Sequence, residues 1–113
     1  MILVGSHAIN YHLPGFRKKP RDWDLIATEQ EAQAIALLAE HELEGSNHSV
    51  AFRMKDGAIV DIEIIQPGTA ADDLYWLPGT PFTVVDTDIG RVLIPPLDVL
   101  YTLKLSHRYL KDS

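Results

Sequence analysis

The chain of 113 residues contains no cysteine. Disulfides and thiolate metal sites are therefore excluded, and the composition fits a reducing, cytoplasmic compartment. The sequon Asn47-His48-Ser49 carries no meaning there. Long apolar runs are missing too. No stretch approaches the roughly 20 residues of a membrane span, and Met1-Ile2-Leu3-Val4 lacks the length and basic flank of a signal peptide, so no membrane association is expected. Basic residues are scarce: 10 Lys and Arg stand against 16 Asp and Glu, for a net charge of −6. An extended grip on a nucleic-acid duplex shows as a basic face, so a long duplex partner is not expected. Neither an internal repeat nor a low-complexity tract is present. The histidines are scattered, and His7/His12 and His41/His48 lack the i, i+4 spacing of a helical zinc pair.

What remains is an ordinary globular composition, 46% hydrophobic, enough for one core. Residues 1–113 are expected to form a single domain, either a pared-down unit or a piece of a longer chain. The pattern predicts a short strand over 2–5 and a brief helix opening at Ser6, whose side chain suits an N-cap. Ala8, Ile9 and Leu13 give that helix an apolar side, and Pro14-Gly15 ends it. A second strand follows at 22–27. Thr28 and Glu31 then form a capping box, opening a helix that the spacing of Ala32, Ile35, Ala36, Ala39 and Leu43 carries to about Glu42. Strands over 50–54 and 58–65 are joined at Asp56-Gly57, a strong hairpin signal. A short helix over 72–76, strands over 82–86 and 90–94, and a last helix starting at Pro95-Pro96 complete the reading.

Four groups of charged residues stand out along the chain. Successive strand side chains alternate faces, so Asp22 and Asp24 point one way while Trp23 and Leu25 point the other. Asp61 and Glu63 likewise share one face of A-I-V-D-I-E-I-I. Carboxylates within so apolar a strand must meet water, a cation or a metal; the face is either the exposed side of an antiparallel sheet or a metal-binding one. A carboxylate pair suits a hard cation such as Mg²⁺, which takes one or two carboxylates plus substrate phosphates. Beside it, the Gly5-Ser6 turn opens a helix whose free N–H groups favour anions. The basic run Arg17, Lys18, Lys19, Arg21 is either a solvated loop or a phosphate contact. In the last helix Lys104 and Arg108 fall on the side of Leu97, Leu100 and Tyr101, where they either snorkel or reach phosphates.

Gly5-Ser6 followed by Asp22-Trp23-Asp24 on a hydrophobic strand resembles the signature of the DNA polymerase β-like nucleotidyltransferase superfamily. The run H-A-I-N-Y-H-L before a basic loop is most similar to its small bacterial and phage members, including toxins of toxin–antitoxin pairs. The segment from Gly90 to Asp112, with Lys104 and the pair Lys111-Asp112, is similar to their tail. The resemblance implies an α/β (α+β) minimal nucleotidyltransferase fold: a mixed, mainly antiparallel sheet of about four or five strands with helices packed on one side. It is not a Rossmann arrangement, since the phosphate turn is Gly-Ser and the D-x-D strand comes next.

The resemblance also implies roles. Asp22, Asp24 and Asp61 would be catalytic and hold Mg²⁺ (or Mn²⁺), with Glu63 sharing the face of Asp61 as the other candidate for the third carboxylate. Gly5, Ser6, Lys18, Arg21 and Lys104 would contact a nucleoside triphosphate such as ATP. The acceptor hydroxyl would belong to RNA (one end of it), a protein or a small molecule. One departure is plain: close relatives carry Arg-x-Thr/Ser-x-Asp where this chain has Lys18-Lys19-Pro20-Arg21-Asp22, so Pro20 removes a hydroxyl and an N–H donor. The competing reading is a catalytically inactive module of the same fold that binds a nucleotide or a protein partner.

Overall fold

Ile2-Leu3-Val4 is apolar on both faces, and it occupies a position in the sheet that requires this. A computed structural model describes residues 1–15, 22–46, 48–68, 72, 79 and 81–102. In it β1 (Ile2–Val4) lies between β2 (Trp23–Ala27), antiparallel, and β7 (Gly90–Ile94), parallel. The other strands are β3 (Ala39–Gly45), β4 (Ser49–Met54), β5 (Ile59–Ile64) and β6 (Thr83–Thr87), giving one sheet in the order β3-β4-β5-β2-β1-β7-β6. The β2–β5 pairing is parallel, and β3–β4, β4–β5 and β6–β7 are antiparallel.

This corrects the expected arrangement of four or five strands with helices on one side. The sheet has seven strands, and strand outweighs helix among the described residues. One source of the difference is the β6–β7 hairpin, which joins the sheet through β1; the other is the segment after α2. The capping box forms: the Thr28 side chain accepts from the Glu31 N–H, and the Glu31 carboxylate accepts from the Thr28 N–H at 3.0 Å. But α2 spans only Glu29–Leu38. Ala39 turns to extended backbone (φ −77°, ψ 151°), and the chain continues as β3 along the edge of β4 with two register shifts. The helical spacing of Ala39 and Leu43 is overruled because β4 offers a row of backbone donors and acceptors that a longer helix would leave unpaired. Only Ala32 and Ile35 of the predicted helical stripe are buried in α2.

The first helix, α1 (Gly5–His12), begins earlier than predicted, with the cap position at Val4, two residues before Ser6, and no side-chain cap hydrogen bond. Ser6 is thus its second residue rather than its cap. Ala8 and Ile9 are buried, whereas Leu13 is 40% exposed. The His12 Nε2–H donates to the Pro95 carbonyl at 2.7 Å, tying the end of α1 to the chain leaving β7. A helical segment over 97–102 follows, with Leu100 fully buried. Apart from Asp72, the helix expected over 72–76 lies outside the described residues.

Two clusters hold the layers together. The larger joins Ala8 and Ile9 of α1 and Ala32 and Ile35 of α2 to Leu3, Leu25, Val60, Ile62, Val92 and Ile94 of the sheet. On the opposite face Ile2 and Ile26 are buried, with Phe82, Leu93 and Val99 packed against them. Each buried Val, Leu or Ile among them contributes about 1.5–3 kcal/mol by leaving water. The second face is therefore apolar only over part of its width, and the rest carries charge.

Candidate functional site

The charged part of that second face is built by register. In β2, Trp23 and Leu25 belong to the larger core, which turns Asp24 and Ile26 to the other side. In β5, Val60 and Ile62 are buried and Asp61 and Glu63 exposed. The parallel ladder sets Asp24 directly opposite Asp61, and Ile26 opposite Glu63. Asp24 and Asp61 are thus immediate neighbours, while Glu63 lies two residues farther along, beside the apolar patch. Asp22 precedes β2 and is exposed.

Gly5 meets this pair from β1. Val4 is opposite Asp24 in the antiparallel ladder, so the chain turns into α1 right beside the Asp24 side chain. Gly5 has φ +73°, and a Cβ there would overlap the Asp24 carboxylate and lie 3.1 Å from both its Cβ and Cγ. A glycine is required twice over: by the left-handed backbone and by the close approach. The N–H groups that open α1 carry no side-chain cap, and Ser6 sits half-buried among them.

A residue that the sequence reading passed over also belongs here. His7, in the first turn of α1, stacks on Trp23 with ring centroids 3.9 Å apart at 31°. Its Nδ1 lies 3.3 Å from the Asp22 carbonyl oxygen. A carbonyl only accepts, so Nδ1 carries the hydrogen and donates it. His7 thereby fastens the start of the D-x-D strand to the helix behind Gly5. No spacing rule in the sequence announces this contact, because it depends on how α1 lies across β2.

Sequence-predicted residues therefore separate into three sets. Gly5, Asp24 and Asp61 converge. Ser6, Asp22 and Glu63 border them. Lys18, Arg21 and Lys104 lie outside the described residues. Among the described residues no three His, Asp or Glu side chains form a group able to hold a metal ion by themselves. Mg²⁺ does not demand such a group, since it keeps waters and takes substrate phosphates alongside one or two carboxylates. The Asp24–Asp61 pair fits that requirement. On this face Asp24 is half-buried and Asp61 exposed. A cavity of about 290 Å³ beside Trp23, Met54 and Ala58 and another of about 480 Å³ beside Thr28, Ser46 and Gln66 include neither carboxylate. No described helix is long and apolar enough to cross a membrane.

Against known proteins, a family model described as "Domain of unknown function (DUF7277)" matches residues 1–89. That span contains Gly5, Asp22, Asp24, Asp61 and Glu63. No curated protein and no solved structure matches the chain.

Proposed function

The chain belongs to the DUF7277 family, a domain of unknown function, and we propose that it is a metal-dependent nucleotidyltransferase, moving a nucleoside monophosphate from a triphosphate such as ATP to an acceptor hydroxyl. The observation that carries this reading is the Asp24–Asp61 pair, opposite each other on adjacent parallel strands and flanked by a glycine that must be glycine. The resemblance of the Gly-Ser and D-x-D motifs to the DNA polymerase β-like superfamily supports it.

In the reaction the acceptor oxygen attacks the α-phosphorus, a new P–O bond forms, and the bond to the pyrophosphate oxygen breaks. The hydroxyl proton passes to Asp61, or through it to water. Asp24 and Asp61, with Asp22 beside them, would hold Mg²⁺ (or Mn²⁺), which when bound neutralises the triphosphate charge. The uncapped N–H groups at the start of α1, with Ser6, are suited to phosphate oxygens, because the helix end carries partial positive charge. Gly5 lets the backbone come close. His7 is a positioning residue, holding the Asp22 carbonyl and the Trp23 ring. A cysteine-free chain acting on nucleoside triphosphates suits the cytoplasm.

Calorimetric titration of ATP, GTP, CTP and UTP, with and without Mg²⁺, tests the proposal on wild type, Asp24→Asn and Asp61→Asn. Metal-dependent binding of a nucleotide, lost in both variants while circular dichroism is unchanged, is expected. A folded wild type that binds none of the four under any divalent metal would overturn it and leave the inactive module.

A further inference from the structure

The register that pairs Asp24 with Asp61 also brings a cation to the same face. Ala51 of β4 is opposite Asp61, and Arg53 is opposite Ile59. Phe52 and Met54 turn into the core, so Arg53 turns outward with Ala51 and is exposed. It is the diagonal neighbour of Asp61, at a spacing of about 7–8 Å between strand positions. On its other side it faces His41 of β3.

Three Lys or Arg residues are described: Arg53, Lys55 and Arg91. Arg91 is bonded to Asp86 at 3.0 Å. Lys55 belongs to the hairpin turn between β4 and β5. Among the described residues the Arg53 side chain makes no hydrogen bond or ion pair, although Asp61 stands diagonal to it and Glu44 shares the face, opposite Ala51. A planar guanidinium presented this way takes two phosphate oxygens at once. Its position in the sheet says whose phosphate. The order β4-β5-β2-β1 puts the start of α1 on one side of the carboxylate pair and Arg53 on the other. With the donor triphosphate on the α1 side, the acceptor approaches over β4.

We infer that Arg53, with His41 beside it, holds a phosphate of the acceptor, and that the acceptor is the end of a single-stranded RNA. This rests on the transferase reading. A protein hydroxyl or a neutral alcohol brings no phosphate for the guanidinium to take, whereas the terminal ribose of an RNA carries a phosphodiester next to its hydroxyl. The net charge of −6 limits the grip to an end rather than a long stretch.

The test is fluorescence anisotropy of the full chain with a short labelled oligoribonucleotide, on wild type, Arg53→Ala, Arg53→Lys and His41→Ala, with calorimetry of Mg²⁺-ATP on the same samples. Arg53→Ala is expected to weaken oligonucleotide binding by about tenfold or more. The slope of log K against log salt should become shallower by about 0.7, the value of one single-strand phosphate contact. Arg53→Lys should recover the salt slope and only part of the affinity, and His41→Ala should cost less than Arg53→Ala. Nucleotide binding should be unchanged in all three variants. Oligonucleotide binding indifferent to Arg53, or Mg²⁺-ATP binding that falls with it, would overturn the inference and leave the transferase reading standing. Equal competition by a nucleoside monophosphate would overturn the RNA assignment in favour of a phosphorylated small molecule. Failure of wild type to bind any nucleotide removes the transferase reading, and this inference with it.

Discussion

Replacing Gly5 by alanine separates two costs that the structure assigns to one position. The first is conformational: at φ +73° an L-residue with a Cβ pays about 1–2 kcal/mol. The second is crowding. Rotation of the Asp24 side chain carries its carboxylate aside, Cγ included, but its Cβ, at 3.1 Å from the new methyl, is fixed by the β2 backbone, and overpacking of this kind costs about 1–3 kcal/mol. Gly57 supplies the control. It has φ +90° in the β4–β5 hairpin, with nothing within 4 Å of a built Cβ, so Gly57→Ala carries the conformational cost alone. Urea unfolding followed by tryptophan fluorescence should therefore place Gly5→Ala about 2–5 kcal/mol below wild type and about 1–3 kcal/mol below Gly57→Ala. In thermal unfolding the Gly5 variant should lose on the order of 10 °C or more. A double-mutant cycle with Asp24→Ala should show favourable coupling, since the truncated side chain removes the carboxylate that the methyl overlaps. Equal stability of Gly5→Ala and Gly57→Ala would refute the close approach, and with it the physical link between the Gly-Ser turn and the D-x-D strand.

Other perturbations are as direct. Thr28→Ala removes the cap of α2 and should cost about 0.5–2 kcal/mol in urea unfolding. Ile62→Ala, at a side chain 1% exposed, should cost about 2–5 kcal/mol, while Glu63→Ala next to it should stay within about 0.5 kcal/mol; similar losses at both would contradict the alternation of β5. Arg91→Ala breaks an ion pair whose side chains are 71% and 77% exposed, so the loss should be no more than about 1 kcal/mol and should vanish in high salt. If Asp24 and Asp61 hold Mg²⁺, nucleotide binding measured by calorimetry should disappear on addition of EDTA and return with excess Mg²⁺.

Features decided by neighbouring residues were legible in the sequence. Thr28 and Glu31 cap a helix through their own side chains, and Asp56-Gly57 closes a hairpin in which the Asp56 carboxylate accepts from the Ala58 N–H at 2.9 Å. The alternation of V-D-I-E-I puts Asp61 outward whatever lies beside it. Features decided by distant partners were not. Glu40-His41-Glu42-Leu43-Glu44 has no strong strand composition, and it becomes a strand only because β4 is there to pair with. The expected strand over 90–94 formed, but its parallel place against β1, which joins the β6–β7 hairpin to the rest of the sheet, has no local signature. The site follows the same division. The carboxylates announce themselves by spacing, while His7 on Trp23 and Arg53 beside Asp61 emerge only from packing and register.

The three residues of β1 are synthesised well before β7, yet Ile2 pairs with Leu93. At about 5–20 residues per second the parallel partner follows on the order of ten seconds later. Through that interval one edge of Ile2-Leu3-Val4 is without its strand, in a segment as apolar as any in the chain. Non-local pairings of this kind also slow folding toward the millisecond-to-second range. The nascent protein therefore passes through a stage in which its carboxylate pair can assemble from β2 and β5 while the sheet beneath Gly5 is still open along one side. Quality-control factors that recognise exposed apolar strands would meet the chain at that stage, and the final pairing of β7 would end their access.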